Sequence, residues 1–351
     1  MPTFSALNLI LQAAHQSPSA DNSQPWRLEW HDQTLSVAFD NHRTRDKTFS
    51  ADNPATILAM GAVLENIKQA ANCIGCPLTW QIPTILNPSE PIYFEAIIGQ
   101  VTNKSNVPLD TLALFKRHTN RHPYFSQALP ETLLNALKNL TLNSARTVVL
   151  DREPAIKQAA NLVYNASTIR FRTRETHEWL SKSLRFGGPS SKVADGLDVC
   201  TLNLPPGGAA FLQLISSWRR MKILNFFGIY KAMSFIDSNP IKLSPALVAV
   251  ISPAGYQDVL SAGQLMNWIW IDLNMQGVAV HPYYVVADQL YRRQSGTIPS
   301  GLENQADLLF ENARKLFQLE SGEALQMLLR IGYPKKTPVL SKRIPLESVC
   351  S

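Results

Sequence analysis

The segment from Gly263 to Gln276 carries Leu265, Met266, Trp268, Ile269, Trp270, Ile271 and Leu273. Those side chains run almost all the way round a helix, and a helix without a polar face has to be surrounded by the rest of its chain. The segment therefore predicts a helix in the middle of the molecule, closed by Gly277. A second helix is expected from Ile57 to Asn72, with Ile57, Met60, Leu64, Ile67 and Ala71 as its buried stripe and Gly61 allowing a neighbour to approach closely. Around these two, alternating or compact apolar runs predict strands at Trp26 to Trp30, Leu35 to Phe39, Leu78 to Ile82, Ile92 to Ile98, Thr147 to Leu150, Ala246 to Ile251 and Leu325 to Ile331. Further helices are expected from Ser5 to the break before Pro18, from Pro130 to Leu140, from Pro154 to Leu184 and from Gln305 to Leu319. The pattern is that of an α+β protein with mixed or antiparallel sheets flanked by helices.

No short tandem repeat is present, but each part of the chain offers a helix followed by a strand and later a central helix ending in glycine. The polar, proline-containing stretch from Asn103 to Asp110 separates them, giving a first half over 1–108 and a second over 109–351. Hydrophobic residues at 45% and charged residues at 17% exclude a disordered chain. The net charge of +6 is scattered and forms no stripe, which suits a positive pocket for an anionic ligand and argues against a nucleic-acid partner. Four cysteines are too few to staple a chain of 351 residues, so a reducing, cytoplasmic compartment is expected. The start, MPTFSALNLI, lacks the basic-then-apolar order of a signal peptide. Ala209 to Ile236 is the most membrane-like segment, but Arg219, Arg220 and Lys222 interrupt it; a packed lid or interface helix is favoured over an interfacial basic one, and no membrane partner is expected. Phe186 to Gly208, rich in Gly, Pro and Ser, reads as a long loop or lid.

Three segments carry chemistry. Pro18-Ser19-Ala20-Asp21-Asn22-Ser23-Gln24-Pro25-Trp26 breaks a helix and exposes backbone amides with Ser and Asn side chains, donors and acceptors suited to a planar polar ring. Arg117-His118-Thr119-Asn120-Arg121 places two arginines at i and i+4 with a hydroxyl between them, a set able to hold a phosphate through charge-assisted hydrogen bonds. Arg343, in the tail Ser341-Lys342-Arg343-Ile344-Pro345, is a third cation able to reach the same anion. Taken singly, these read equally well as an Asx-type turn, a solvated basic loop and a charged tail.

Together, in this order, they resemble the nitroreductase superfamily. In that family a loop of the form A-P-S-x-x-N-x-Q-P-W covers a flavin ring, and Ser17 to Trp26 is similar to it. An R-R-S-x-R motif binds the FMN phosphate there, and Arg117, Thr119 and Arg121 match its first arginine, its hydroxyl and its last arginine, with His118 in place of the second arginine. Ala262-Gly263 to Gly277-Val278 resembles the central helix, Pro282-Tyr283-Tyr284 stands where the family presents backbone groups to the flavin N5 edge, and Leu328 to Tyr333 with Arg343 to Glu347 resembles the last strand and terminal arm. The family has a lysine where Ser341 stands, and residues from about 161 to 244 match it poorly. Compact members carry the phosphate motif before the ring loop and work as homodimers with flavins at the interface. Here each half holds what the other lacks, an arrangement similar to the long, Acg-like branch: an intramolecular pseudo-dimer, monomeric as a whole, with one complete site and one degenerate one.

The resemblance implies FMN as cofactor, bound by Pro18, Ser19, Asn22, Arg117, Thr119, Arg121, Pro282, Tyr283, Tyr284 and Arg343. It implies hydride transfer from transiently bound NAD(P)H through flavin N5 to a small-molecule nitro, quinone or similar acceptor. The alternative is an FMN storage or sequestration protein without turnover. No catalytic side chain and no metal ligand is assigned. There is no G-x-G-x-x-G for a separate dinucleotide domain. Cys73-Ile74-Gly75-Cys76 falls at the end of a helix, where the dipole does not favour a thiolate, and has no second C-x-x-C to complete a zinc site.

Overall fold

The computed structural model describes residues 4–44, 48–87, 89–100, 112–187 and 194–350. The boundary expected at 103–110 lies outside them, as does part of the expected lid.

The first half runs α1 (Phe4–His15), β1 (Trp26–His31), β2 (Thr34–Phe39), a short α2 (Asn41–Thr44), α3 (Pro54–Cys73), β3 (Leu78–Gln81) and β4 (Ile92–Ile98). The second opens with α4 (Ala113–Lys116), α5 (Glu131–Lys138), β5 (Thr141–Leu142) and β6 (Ala145–Leu150). An insertion follows: α6 (Glu153–Arg172), α7 (Arg174–Ser183), β7 (Leu184–Arg185), β8 (Leu197–Asp198), α8 (Gly208–Ile215), α9 (Trp218–Phe226) and α10 (Ile229–Lys242). The chain then returns through β9 (Ala246–Pro253), α11 (Tyr256–Met275), β10 (Ala279–Tyr283), α12 (Val285–Gln294), α13 (Glu303–Phe317) and β11 (Glu323–Gly332). The fold is α+β, with two antiparallel sheets and a short parallel β7–β8 pair.

The two sheets share one topology. The first has the order β1-β2-β4-β3, and the second has β6-β9-β11-β10 with β5 added at its edge. Both are built as strand, strand, central helix, strand, strand, and every pairing is antiparallel. An irregularity falls at the same point in each: β4 skips Tyr93 between Phe94 and Ile92 opposite Val37 and Ala38, and β11 skips Gln326 between Met327 and Leu325 opposite Val250 and Ile251. A bulge is a local insertion with its own twist, so one at matching register in two sheets is not a generic consequence of pairing.

The two central helices repeat each other as well. After α3 the Cys76 amide donates to Ala71 and Gly75 to Asn72; after α11 Val278 donates to Leu273 and Gly277 to Asn274. Both are Schellman closures, and Gly75 and Gly277 supply the positive φ that the motif requires (61° and 74°). The helices pack face to face through Gly61 and Gly263. A Cβ on Gly61 would strike the carbonyl oxygen of Leu260, and one on Gly263 would strike that of Leu58. Contact of one residue with its counterpart's neighbour, reciprocated, is the signature of a two-fold interface. Asn66 and Asn267, both buried, add a hydrogen bond of 2.8 Å across it.

The main core lies between these helices and the facing sides of both sheets, with Val37, Phe94 and Ile98 from one and Val248, Val250 and Leu329 from the other. A second cluster joins the far face of the second sheet to α6, α12 and α13. β9 is buried on both faces, which is why it reads as an unbroken apolar run. Three expectations need correction. The stretch from Pro154 to Leu184 is two helices, broken at Thr173, whose hydroxyl bonds to Ile169 and whose backbone is extended. The apolar stretch from Ala209 to Ile236 is spread over α8, α9 and α10, because Ser216-Ser217 and Gly228 (φ 83°) interrupt it. α11 is not wholly enclosed, since Trp268 and Met275 face solvent. Among the described residues no helix is long and apolar enough to cross a membrane.

Candidate functional site

α1 ends at His15, and the chain turns through Ser17-Pro18 into a short 3-10 turn at Ala20–Asn22 before β1 begins. Asp21, Asn22 and Gln24 all have positive φ (49°, 57° and 49°), so the loop holds three non-glycine residues in the left-handed region. Backbone of this kind persists only where surroundings over-determine it, and it concentrates at functional sites. Here Ser19 Oγ accepts from the Gln24 amide (2.9 Å), and Gln24 Oε1 accepts from the Ile344 amide (3.1 Å).

The arginine motif approaches from the other half. Its backbone is pinned to the centre of the molecule: the His118 amide donates to Asn274 Oδ1 (2.8 Å), Trp270 Nε1 donates to the His118 carbonyl (2.9 Å), and the Asn120 amide donates to Val280 (2.9 Å). Thr119 forms a bridge with Val280 there. Arg117 lies over the Trp270 ring at 4.6 Å and donates to the Gln16 carbonyl at 3.0 Å. The terminal arm brings in Arg343, which donates to the same Gln16 carbonyl (3.0 Å) and to Asn22 Oδ1 (2.8 Å). The arm is fixed by His15 Nε2 against the Ile344 carbonyl (2.8 Å) and by the Leu28 amide, which donates to Val349 (2.7 Å). The ring loop, the arginine motif and the arm, separated by about a hundred residues or more in sequence, therefore meet at one place.

The positive charges that meet here are poorly compensated. Among the described residues neither Arg117 nor Arg343 has a carboxylate partner, and Arg117 Nε is buried without any partner. Burial, aided by the neighbouring Arg343, lowers the Arg117 pKa to about 9; burial alone brings Arg343 to about 10. Desolvated, uncompensated guanidiniums are costly until an anion arrives. Arg121 is partly buried, with its pKa lowered by desolvation against the pull of Asp21, and it donates to the Thr201 carbonyl (3.3 Å). Burial raises the Asp21 pKa against the opposing charges of Arg170 and Arg121.

Tyr283 and Pro282 lie on β10, paired with Leu328 and Leu329. Tyr283 sits within electrostatic reach of Arg121, Tyr124 and Arg330, and burial pushes its pKa up. Tyr284 turns the other way, toward the start of α3, with its hydroxyl 3.5 Å from Asn53 Oδ1 and its ring edge-on to Phe49. Of the residues that meet here, the sequence reading named Asp21 and Gln24 only as parts of the loop, and His15 and His281 not at all. Burial, with Arg330 and Arg121, lowers the His281 pKa well below its ordinary value, and its Nδ1 is buried without a partner among the described residues. Nothing in the local sequence marks it, because its role depends on β10 lying beside Arg121. His118, which replaces an arginine of the resembled motif, contributes backbone to the pinning while its ring bonds to the Lys116 carbonyl (2.8 Å).

The inserted segment lies over the loop. Asn22 Nδ2 is shared among the carbonyls of Lys342 (2.9 Å), Ala194 and Gly196 (both 3.2 Å), and Gln24 Nε2 donates to Ala194 (3.0 Å). Beside it the enclosed spaces are small: about 10 Å³ bounded by Asp21, Ser23, Arg43, Thr44, Ser183, Arg185, Asp195 and Gly196, and about 30 Å³ under α7 and α8. Cys76 is buried with its thiol pKa raised, at the end of α3, and among the described residues no cluster of three or more His, Cys, Asp or Glu has the arrangement of a metal site.

The class to which sequence similarity points is the long, Acg-like branch of the nitroreductases. Over 169 residues the chain is 27% identical to acg of Mycobacterium tuberculosis, a protein provisionally named an NAD(P)H nitroreductase, covering 46% of this chain and 50% of that protein. It is 25% identical over 280 residues to MT1398, an uncharacterized protein of the same organism, covering 78% of this chain and 38% of MT1398. The chain thus spans half or less of the length of these relatives. No protein-family model matches it. Similar solved structures include an FMN-bound nitroreductase from Bacteroides fragilis (9% identity, 66% of this chain and 92% of that one, TM-score 0.37) and the FMN-dependent nitroreductase NfnB from Mycobacterium smegmatis with NADPH (13%, 67% and 94%, TM-score 0.37). Superpositions at that TM-score do not establish a shared fold.

Proposed function

We propose that this chain binds FMN between its two halves and acts as a nitroreductase-type oxidoreductase, taking hydride from NAD(P)H and passing it to a nitro, quinone or similar acceptor. The observation that carries this reading is the meeting of Arg117, Arg121 and Arg343 with the Ser19–Asn22 loop. Arg117 is buried, Arg121 and Arg343 are partly buried, and neither Arg117 nor Arg343 has a carboxylate partner among the described residues; a phosphate is the anion that planar guanidiniums hold best. Arg117, Arg121 and Arg343 would hold the phosphate, with the Thr119 hydroxyl beside them. Pro18, Ser19 and Asn22 would line the ring, and Pro282, Tyr283 and Tyr284 its far edge. FMN supplies two-electron chemistry when bound. The chain orients it, keeps water out beneath residues 194–201, and assigns no side chain to proton transfer. The repeated sheets, bulges and glycine contacts support an intramolecular pseudo-dimer, with halves divided between 108 and 109. The ring loop belongs to one half and the phosphate motif to the other, so one complete site forms.

A second reading has its own support. Residues 194–201 are bonded directly to Asn22 and Gln24, and a cover held this way would suit sequestration of FMN without turnover. Anaerobic stopped-flow mixing of the reconstituted protein with NADH and with NADPH separates the two. Rapid bleaching of the flavin absorbance supports the oxidoreductase; a yellow protein that neither nicotinamide reduces supports sequestration.

A further inference from the structure

We propose that the outward faces of α9 and α10 form a docking surface for an anionic lipid headgroup layer, entered from one side and not spanned. On α9, Ile223 (56% exposed) and Phe226 (87%) stand on the outer face, followed by Phe227 (79%) at its end. On α10, Phe235 (60%), Ile236 (61%) and Leu243 (63%) recur at helical spacing on its outer side. The opposite sides are used: Met221 is buried in the small core of the insertion, while Ser234, Ser238 and Ile241 are buried on the inner side of α10. Isolated exposed apolar residues are ordinary, but six large ones on two adjoining helices mark an interaction surface.

Charge identifies the partner. From Val199 to Ile236 the sequence has no Asp or Glu, although it has Arg219, Arg220, Lys222 and Lys231. All four cations are exposed. Arg220 and Lys222 flank the apolar line of α9, and Lys231 and Lys242 flank that of α10. The nearby carboxylates are engaged elsewhere: Asp237 pairs with Arg170 (3.1 Å), Glu175 with Arg292 (3.2 Å) and Glu178 with Arg174 (2.8 Å). An apolar strip flanked by cations is what a helix lying in a bilayer interface requires, with long basic side chains reaching the headgroups. A second copy meeting this face symmetrically would set these cations against themselves with no acid of the segment between. The sequence reading offered an interfacial basic helix for Ala209 to Ile236 as its less favoured alternative, but not two separate helices, α9 and α10, turned at Gly228 (φ 83°).

Flotation of the full chain with vesicles of phosphatidylcholine alone or mixed with phosphatidylglycerol tests the proposal, using F226S/F227S and R219E/R220E. The wild type should float with the anionic vesicles, far less with the neutral ones, and less at high salt. Each double variant should bind about tenfold or more weakly. Unchanged thermal melting of the variants would show that they fold, and the salt and lipid dependence of the wild type stands without them. Absence of flotation overturns the proposal. So does wild-type dimerisation that F226S/F227S abolishes without any vesicle binding, since a second copy would then cover this face. Binding to an acidic protein but not to lipid overturns it equally.

Discussion

At the scale of single residues, His15 ties the site together. Its Nδ1 accepts from Trp26 Nε1 (3.1 Å) and its Nε2 meets the Ile344 carbonyl (2.8 Å), so one imidazole joins α1, β1 and the terminal arm. Burial is the main cause that brings its pKa to about 4, with Arg343 and Arg43 adding repulsion. The folded protein therefore favours neutral His15 more than the unfolded chain does. Its contribution is complete above the ordinary value near 6.5 and is lost as pH falls from there through about 4. The loss is on the order of 3 kcal/mol. Melting temperature measured against pH should fall more steeply between these values in the wild type than in His15→Gln; identical slopes would remove this role. Arg117 and Arg121 stand out in the sequence as a compact basic motif with a hydroxyl, whereas Arg343 was singled out only with the other segments; the structure brings Arg117 and Arg343 to the same Gln16 carbonyl. His15, Asp21 and His281 do not stand out, because burial and long-range neighbours define them, and no spacing rule reports either.

Between elements, the α3–α11 contact has the least tolerance. A methyl group at Gly61 or Gly263 meets backbone of the facing helix, which cannot rotate away as a side chain can. Gly61→Ala and Gly263→Ala should each destabilise by about 1–3 kcal/mol, while Gly277→Ala, where positive φ and not space is the constraint, should cost about 1 kcal/mol. Equilibrium denaturation of the three variants checks that ranking, and a smaller effect at Gly61 than at Gly277 would contradict it. Both central helices, the first hairpin and most strands were readable from periodicity alone, as was the value of Gly61. The break at Thr173 was not, since neither Gly nor Pro marks it. α12 was missed because its buried side includes Asp288, Gln289 and Arg292, whose polarity masks the pattern. Asp288 and Arg292 are paired there at 3.3 Å.

For the whole molecule, the repeated strand order lets segments far apart in sequence lie side by side. The shared strand order, matching bulges and reciprocal glycine contacts put the amino-terminal loop of one half beside the arginine motif of the other. The order of motifs in the sequence already suggested this complementarity, whereas the matching bulges at Tyr93 and Gln326 needed the paired strands to be seen. The insertion between β6 and β9 breaks the symmetry and supplies the cover. Ala194 and Gly196 are bonded to Asn22 and Gln24, so a flavin taken up beneath them should associate more slowly than diffusion allows. Weakening the cover with Asn22→Ala should accelerate the loss of bound flavin in a dilution experiment followed by fluorescence. An unchanged dissociation rate would show that these bonds do not hold the cover.

The central claim is that the halves share a single FMN. It is tested most directly by quantifying flavin per chain from the absorbance spectrum of the reconstituted protein and of Arg117→Ala/Arg121→Ala. The account predicts about one FMN per chain in the wild type and almost none in the double variant. A wild type that takes up no flavin, or a double variant that retains its full complement, would contradict it.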